Sequence, residues 1–406
     1  MFVKNDEGMD EDMKKIQLKN KQLSLWKQGY PLIKEIDLVR QADSSYTGEW
    51  LEFVTRDSKY IGTGYLGEQN KGIGWIINWN QGQPINQAFF EEKFLQAKKL
   101  RQSYFLDELT TAFRIFNGEG DGIGGLTIDW YDHYLVIQWY NESIYQKQPM
   151  ILAAIQAVYP EVLGIYEKNR FTQAGLATSQ HVAGQLAKEP LIVKENGVNY
   201  STYLDDGMMT GIFLDQKNVR GQLVDGLAMG KTVLNTFSYT GAFSVAAAMG
   251  GAVETTSVDL AKRSIEKTQE MFQVNGLPLE DHSIVVMDVF EYYRYAKRKG
   301  LSYDCIILDP PSFARNKKKT FSVAKDYGTL VMDALPILNQ QGLLIASTNA
   351  ANVSVKKFRQ MIEQGMSQMN RSYKLLKEER LPSDFQVNPA FTEGNYLKVF
   401  IYQLDK

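Results

Sequence analysis

The spacing of hydrophobic and polar positions divides the chain into stretches of different secondary structure. Between residues 13 and 84, short apolar segments are separated by polar or glycine turns, as in β-structure: KKIQL, LIKEIDLV, EWLEFVT, YIGTGYLG and GIGWIINW. The following segment, INQAFFEEKFLQAKKLRQSYF, places its apolar residues near helical spacing. We therefore predict a small barrel-like β domain over 13–84 and a helix after it.

Residues 85–195 predict a central α+β domain. After the first helix, a second is expected near 147–158, and the strand candidates are TAFRIFN, LTIDWY, HYLVIQWY, VLGIYEK and ATSQHVAGQL. The segment EPLIVKENGVNYSTYL then carries Asn-Gly between two apolar runs, which is a strong hairpin signal.

From Lys231 onward, strand patterns and helix patterns alternate. The strand candidates are KTVLNTF, VETTSVDL, SIVVMDV, YDCIILD and GLLIAST, with helices between them, and KLLKEERL and YLKVFIYQL supply two more strands. Such alternation is typical of a doubly wound parallel sheet. We predict an α/β fold in which residues 196–406 form a Rossmann-like domain.

Composition adds limits to this picture. The 406 residues are 44% hydrophobic, which is enough for two or three domain cores. A single cysteine, Cys305, excludes an intramolecular disulfide framework, and the three histidines are too far apart in sequence for metal-ligand spacing. These counts predict a reducing cytoplasm and a metal-free site. Residues 1–12 are acidic, resemble a disordered leader and lack the features of a secretory signal, which also favours a cytoplasmic protein.

Charge gives a local rather than a global signal. The net charge is −2, which argues against a uniformly basic nucleic-acid coat. Between Glu291 and Asp326, however, nine basic residues stand against four acidic ones. Among them, Lys317, Lys318 and Lys319 either bind phosphates or form a solvated surface.

The strongest chemical signal is the segment LDPPSF, residues 308–313. The apolar run Cys305–Leu308 suits a buried strand, and two prolines cannot continue it because they lack ladder donors. The stiff loop after the strand presents the Asp309 carboxylate and the Phe313 ring. In open α/β sheets, ligands bind at this end of the strands.

A glycine-rich motif, GEGDGIGG, matches the spacing of a dinucleotide fingerprint at Gly120, Gly122 and Gly125. That fingerprint requires a strand before it and a helix after it. Here the following segment, LTIDWYDHYLVIQWY, has the pattern of a hairpin. We interpret the motif as a flexible turn.

Three further strand ends carry groups suited to a nucleoside. The first strand ends at Asn235 and leads to the single turn glycine Gly241, which permits close approach but lacks a pyrophosphate cradle. The second strand ends at Asp259, whose carboxylate can accept from both ribose hydroxyls. The third ends beside Asp288 and Val289, which suit an adenine amino group and ring. Each is alone explained by a turn or a helix cap, but together they indicate S-adenosylmethionine.

From about residue 13 to its end, the chain resembles the bacterial large-subunit ribosomal RNA methyltransferases that join a PUA domain, a central α+β domain and a Rossmann-like methyltransferase domain. The matching segments are GEGDGIGGLTID, TGIFLDQKNVR, NTFSYTGAFSVAAAMGG, VDL, MDVF, LDPPSF and EGNYLKVF. The resemblance implies RNA contacts from the PUA domain and a large-subunit ribosomal RNA substrate. The predicted cofactor-binding residues are Phe213, Asp215, Arg220, Asn235, Phe237, Ser238, Tyr239, Thr240, Gly241, Asp259, Leu260, Asp288, Val289 and Asp309.

The sequence departs from the cytosine-C5 members of that family. Those enzymes need a thiolate that adds to C6 of the ring, and they carry it just after the fifth strand. Here Thr348 falls at that position, and Cys305 lies in the buried strand as a small core residue. The site is also similar to the guanine-N7 half of a bifunctional bacterial enzyme that lacks the cysteine. We therefore expect methylation of a purine nitrogen, with guanine N7 preferred.

The catalytic candidates are Asp309, which would orient groups near the methyl, and Phe313, which would stack on an extruded base. The predicted substrate-binding residues are Pro310, Pro311, Ser312, Phe313, Arg315 and Asn349. Three alternatives stay open: cytosine-C5 methylation, a non-catalytic RNA-binding assembly factor, and a Rossmann oxidoreductase. The oligomeric state is also open, with a homodimer among the options.

Overall fold

The computed structural model describes residues 13–69, 72–315 and 320–405. The predicted leader 1–12 and Lys317 to Lys319 lie outside these residues. Contacts divide the chain into two units, the first containing residues up to 103, 114–186 and 384–394, and the second containing 104–113, 187–383 and 395–406. Within the described parts of the chain, no helix is long and apolar enough to cross a membrane.

The first unit begins with a five-stranded sheet in the order β1-β3-β4-β5-β2. The elements are β1 Lys15–Gln17, α1 Leu23–Lys27, β2 Leu32–Ile33, β3 Leu51–Val54, β4 Tyr60–Gln69 and β5 Gly72–Asn78. LIKEIDLV was predicted as one strand, and this is wrong beyond Ile33. The buried Asp37 side chain accepts from the Lys34 backbone N–H and from Gln22, both at 2.9 Å, which stabilises a 3-10 turn there.

A second five-stranded sheet follows in the order β10-β9-β8-β7-β6. Its elements are α2 Gln87–Leu100, α3 Gln102–Phe105, β6 Ala112–Asn117, β7 Leu126–Tyr131, β8 Tyr134–Trp139, α4 Glu142–Tyr145, α5 Gln148–Val158, β9 Gly164–Asn169 and β10 Ser179–Gly184. The glycine-rich motif joins β6 to β7, so it is a turn and lacks the strand-then-helix context of a dinucleotide site. The turn is held firmly, because the buried Arg101 guanidinium donates to both carboxylate oxygens of Asp121 at 3.0 and 2.7 Å.

The Asn-Gly hairpin is present in the second unit. It pairs β11 Leu191–Glu195 with β12 Val198–Thr202, and Asn196 and Gly197 both have positive φ, as a tight two-residue turn requires. Helix α6 Lys217–Gln222 follows.

The second unit contains a seven-stranded sheet in the order β15-β14-β13-β16-β19-β21-β20. Strands β13 to β16 and β19 are parallel, and β20 and β21 are antiparallel additions at one edge. This confirms the Rossmann-like α/β fold. The elements are β13 Thr232–Thr236, α7 Ala242–Met249, β14 Glu254–Asp259, α8 Ser264–Gln273, β15 His282–Val286, α9 Val289–Lys299, β16 Tyr303–Leu308, β17 Phe313–Arg315, β18 Thr320–Ser322, α10 Val323–Ala334, β19 Leu338–Thr348, α11 Val355–Gln368, β20 Tyr373–Glu379 and β21 Lys398–Leu404.

Alternate residues of the central strands pack on opposite faces of this sheet. Val233, Cys305 and Ile307 share a cluster with α6 and α7, and Leu234, Ile306 and Leu308 share one with α9, α10 and α11. A strand covered on both faces has to be apolar throughout, which explains the unbroken apolar runs in the sequence. The buried sheet fixes where its strands end and therefore where polar loops can gather.

Candidate active site

A cavity of about 580 Å³ lies at the carboxyl ends of the parallel strands. The order of the sheet reverses at β13, whose neighbours are β14 on one side and β16 on the other. Ligands of open α/β sheets bind at such a switch point. The wall contains Met209, Gly211, Ile212, Phe213, Asp215, Gln216, Arg220, Phe237, Ser238, Tyr239, Thr240, Ala242, Phe243, Asp259, Leu260, Arg263, Asp288, Val289, Phe290, Asp309, Pro310, Pro311, Ser312, Phe321 and Asn349.

The loop after β13 has a strained backbone. Phe237 and Tyr239 have φ of 56° and 53°, a left-handed conformation that is uncommon for residues with a side chain. The Asp259 carboxylate holds this loop, because it accepts from the Tyr239 backbone N–H at 2.9 Å and from the Ala261 N–H at 2.8 Å. Two hydrogen bonds leave a carboxylate with further acceptor positions, which suits the predicted ribose contact.

Two predicted residues of this loop region lie behind the cavity wall. Gly241 has φ of 77° and precedes α7, and a Cβ added to it would lie 2.5 Å from Thr268 Cγ2. Asn235 is buried and donates to Ser244 Oγ at 3.0 Å. They therefore shape the loop from behind, whereas Phe237, Ser238, Tyr239 and Thr240 reach the cavity.

At the end of β15, Asp288 is both a helix cap and part of the cavity wall. Its Oδ1 accepts from the backbone N–H groups of Phe290 and Glu291, each at 3.1 Å, at the first turn of α9. Val289, Leu260 and Phe290 add apolar surface nearby in the wall. An acidic group beside apolar surface suits an adenine ring with its amino group.

Asp309 is a carboxylate without a cationic hydrogen-bond partner among the described residues. Gln216 Nε2 donates to its Oδ1 at 3.2 Å and also to Ser347 Oγ at 2.7 Å. Burial, with a smaller contribution from the nearby Asp215, raises the pKa of Asp309 to about 6, although the hydrogen bonds of Ser347 and Gln216 and the positive charge of Arg220 act in the opposite direction. The negative charge is thus costly and would be stabilised by a positive ligand.

Arg220 lines the cavity and also forms a buried ion pair with Glu195. Its Nε and Nη2 donate to Glu195 at 2.7 and 2.8 Å, and Nη2 also donates to the Phe213 carbonyl at 2.7 Å. Burial alone would lower the pKa of Arg220, but the Glu195 carboxylate raises it above its ordinary value. Arg220 therefore holds the Phe213 segment in place, and its predicted ligand contact stays a prediction.

The loop after β16 is joined to the loop after β19. Ser312 Oγ donates to Asn349 Oδ1 at 2.8 Å, and beneath them the Tyr327 hydroxyl lies 3.0 Å from the carbonyl oxygens of both Leu308 and Ser347. Pro310, Pro311, Ser312 and Asn349 all line the cavity.

Phe313 begins the short hairpin β17–β18 and is 62% exposed. It is not among the residues that line the cavity. The side chain of the predicted substrate contact Arg315 is outside the described side chains. The ring of Phe313 is therefore not a core residue and is accessible for stacking.

The one thiol of the chain is far from reactive. Cys305 is fully buried inside β16, and burial raises the pKa of its thiol to about 12. Thr348, at the end of β19, is also buried, and its Oγ1 accepts from the Ala350 backbone N–H at 3.1 Å. Neither side chain offers a nucleophile.

Several wall residues were missed at the sequence level: Met209, Gly211, Ile212, Gln216, Ala242, Phe243, Arg263, Phe290 and Phe321. Gln216 could have been found, because it lies in the segment TGIFLDQKNVR between the predicted Asp215 and Arg220. Phe321 could not, since nothing marked β18 as an element. Its ring packs on Phe237 and Phe290 at centroid distances of 6.5 and 5.9 Å.

The chemistry of the wall fits an adenosyl ligand with a positive charge. It provides carboxylates after β14, β15 and β16, apolar surface between them, and the buried Ser238 hydroxyl, which has no hydrogen-bond partner among the described residues. In the described ranges of the chain, no group of three or more histidine, cysteine or acidic side chains is placed to bind a metal.

Comparison with known families agrees with this chemistry. Residues 114–393 match the S-adenosylmethionine-dependent methyltransferase family, and residues 16–79 match the PUA-like domain.

Individual relatives span nearly the whole chain. The chain is 48% identical to the "Putative ribosomal RNA large subunit methyltransferase YwbD" of Bacillus subtilis over 96% of this chain and 100% of that protein. It is 28% identical to "Ribosomal RNA large subunit methyltransferase I" of Klebsiella pneumoniae over 91% of this chain and 93% of that protein. A solved structure, "SMU.776, a putative methyltransferase complexed with SAH", superimposes with a TM-score of 0.90 at 46% identity, covering 96% of this chain and 100% of that one.

Proposed function

The chain belongs to the S-adenosylmethionine-dependent methyltransferase family, and from that membership we propose that it methylates a base of large-subunit ribosomal RNA, at N7 of guanine. The RNA class rests on two relatives that are named as large-subunit ribosomal RNA methyltransferases and that align with more than nine-tenths of the chain. The enzyme uses S-adenosylmethionine as its methyl donor.

One observation carries the choice of the methylated atom, namely the lack of an accessible thiol. C5 of cytosine needs prior attack of a thiolate on C6, but Cys305 is buried with a pKa near 12 and Thr348 has a buried hydroxyl. Guanine N7 carries its own lone pair and bears no proton that must leave. Transfer to N7 forms one N–C bond and breaks one S–C bond, without a covalent adduct of the enzyme.

When bound, S-adenosylmethionine supplies an electrophilic methyl group on a positively charged sulfur. The residues that would hold it are those after β13, β14 and β15. Asp259 would accept from the ribose hydroxyls, Asp288 would receive the adenine amino group, and Ser238 would bind with its otherwise unpartnered hydroxyl. The Phe213 segment, fixed by Arg220, would close the opposite wall.

The loop after β16 would hold the target base. Phe313 is exposed and would stack on the extruded ring, and Pro310 and Pro311 would keep the loop stiff. Asn349 accepts from Ser312 through Oδ1, which leaves its Nδ2 group as a donor to the base edge. Positioning of this kind supplies most of the catalysis when no proton has to move.

We also propose a three-part organisation, with a PUA-like domain over 13–84, a central domain over 85–195 and the methyltransferase domain over 196–406. The PUA-like match over 16–79 lies inside the first range. The first domain would add RNA contacts outside the cavity.

Mapping of modified nucleotides tests the proposal. Ribosomal RNA from cells with and without the gene is digested and analysed by mass spectrometry, and we expect one 7-methylguanosine to be lost with the gene. A Cys305→Ala variant is the control, because it removes the only thiol and should restore the same product.

Other results would point elsewhere. Loss of a methylcytosine instead would refute the N7 assignment and favour the C5 route. An unchanged modification map, together with binding of S-adenosylhomocysteine, would favour a non-catalytic assembly factor.

A further inference from the structure

Gln216 occupies a buried position between two strand ends of the site. It is 4% exposed and lies in the short turn before α6, and its Nε2 reaches across to Asp309 after β16 and to Ser347 in β19. No other described side-chain nitrogen donates to the Asp309 carboxylate.

The orientation of the Gln216 amide follows from its surroundings. With Nε2 toward Asp309 and Ser347, the amide donates to an acidic oxygen at 3.2 Å and to a hydroxyl oxygen at 2.7 Å. The reverse orientation would place Oε1 against the carboxylate, which is repulsive when Asp309 is ionised. The observed orientation therefore favours the charged form of Asp309.

The oxygen of the Gln216 amide lowers the stability of the folded protein. Gln216 Oε1 is buried and has no hydrogen-bond partner among the described residues. A buried acceptor without a partner is destabilising, and an apolar side chain of similar length would avoid that cost. A purely structural position would not need the amide, whereas one that serves Asp309 does.

We propose that Gln216 is a positioning residue that orients the Asp309 carboxylate and, with Ser347, keeps it ionised for the methyl-transfer reaction. Gln216 acts through Asp309 and does not itself touch the methyl group or the base. Both hydrogen-bond partners are neutral, so they hold the negative charge of Asp309 without forming an ion pair with it. The inference rests on the proposed function and on the predicted role of Asp309, which is to orient groups near the methyl.

The test is the pH profile of single-turnover methylation for the wild type, Gln216→Met, Gln216→Glu and Ser347→Ala. Loss of a hydrogen bond to a charged group should move the acidic limb of the Gln216→Met profile about one pH unit upward and lower the rate at pH 6 roughly fivefold. Gln216→Glu should move it further, because a second carboxylate disfavours ionisation of the first. The KM for RNA should be unchanged in Gln216→Met.

Two controls separate positioning from folding. Gln222→Met changes a glutamine of the same helix region that donates to Glu379, away from the cavity, and should leave the profile unchanged. In an Asp309→Asn background, Gln216→Met should have no further effect on the pH profile, because the group it positions can no longer ionise. The melting temperature of Gln216→Met should stay within about 2 °C of the wild type or rise, since the unpartnered oxygen is removed.

The outcomes are distinct. If the wild type methylates RNA and Gln216→Met keeps the wild-type pH profile, the inference is wrong and the proposed function stands. If the melting temperature falls steeply while the profile is unchanged, Gln216 is only structural. If the wild type transfers no methyl group to RNA, the proposed function fails first, and the pH dependence of S-adenosylmethionine binding then tests the ionisation of Asp309 alone.

Discussion

The Asp259 carboxylate, at the end of β14, accepts a hydrogen bond from the backbone N–H of Tyr239, in the loop after β13. This bond joins two neighbouring strand ends and holds a backbone in which Phe237 and Tyr239 both have positive φ. The strain of the loop is maintained by its surroundings, as is common at ligand sites.

A first prediction concerns the last residue of that loop. Gly241→Ala should destabilise the protein and weaken S-adenosylhomocysteine binding, because its Cβ would lie 2.5 Å from Thr268 Cγ2 at a φ of 77°. The matched control is Gly276→Ala, where φ is 66° and no atom lies within 4 Å of the added Cβ. Calorimetric titration and thermal unfolding would measure both. Equal losses in the two variants would assign the effect to the backbone angle alone.

A second prediction follows from the raised pKa of Asp309. Because that pKa is about 6, the carboxylate is largely neutral at pH 5 and ionised at pH 7. S-Adenosylmethionine has a positive sulfur and S-adenosylhomocysteine does not, so the affinity ratio of the two should rise as pH increases through 6. Asp309→Asn should flatten this dependence. A ratio that does not change with pH in the wild type would place the sulfur away from Asp309.

The same pKa makes a third prediction about stability. A carboxyl whose folded-state pKa is raised contributes stability below its unfolded pKa near 4, and loses it as pH rises through 6. The unfolding free energy of Asp309→Asn, taken relative to that of the wild type, should therefore rise by on the order of 2 kcal/mol between pH 4 and pH 7. Urea unfolding at a series of pH values measures the difference. A constant difference across that range would show that Asp309 titrates normally.

A fourth prediction concerns the Arg220–Glu195 pair. Glu195→Gln leaves a buried guanidinium without its counter-charge and should cost about 3–5 kcal/mol of unfolding free energy. The comparison is Glu363→Gln, which breaks a partly exposed pair with Arg359 and should cost less than about 1 kcal/mol. Chemical denaturation of both variants gives the two values. Similar costs would mean that water reaches Arg220.

A fifth prediction addresses Phe313. Phe313→Ala should lower kcat/KM for RNA about tenfold, within the usual range for one base–aromatic stack, and leave S-adenosylhomocysteine affinity unchanged. Stability should change by less than about 0.5 kcal/mol, because the ring is 62% exposed. Phe313→Trp should restore the rate. An unchanged rate in the alanine variant would remove Phe313 from the substrate site.

The sheet of the second unit could be predicted from sequence because its signal is local. Apolar runs such as Cys305–Leu308 fit strands buried on both faces, and the groups that follow them have to emerge at one edge. Helix α11 was not predicted, although Val355, Phe358 and Ile362 follow a helical spacing and Ser354 caps the first turn. The signal for this helix is therefore local and present in the sequence.

Other features depend on distant pairing and could not be predicted. Glu195 ends β11 and Arg220 lies in α6, 25 residues later, and no local pattern indicates that they meet. Gln216 and Asp309 are 93 residues apart, so the amide that holds the carboxylate is visible only in the folded chain. The turn at Asp37 is similar, because its partner Gln22 lies outside the segment that resembles a strand.

The interleaving of the two units along the chain bears on how this protein could be divided or recombined. The polypeptide passes between them five times, and residues 395–406 supply β21, which lies between β19 and β20. Neither unit is one continuous stretch of gene, so no single cut yields either of them whole. A chimera that exchanges one unit with a relative therefore needs several splice points.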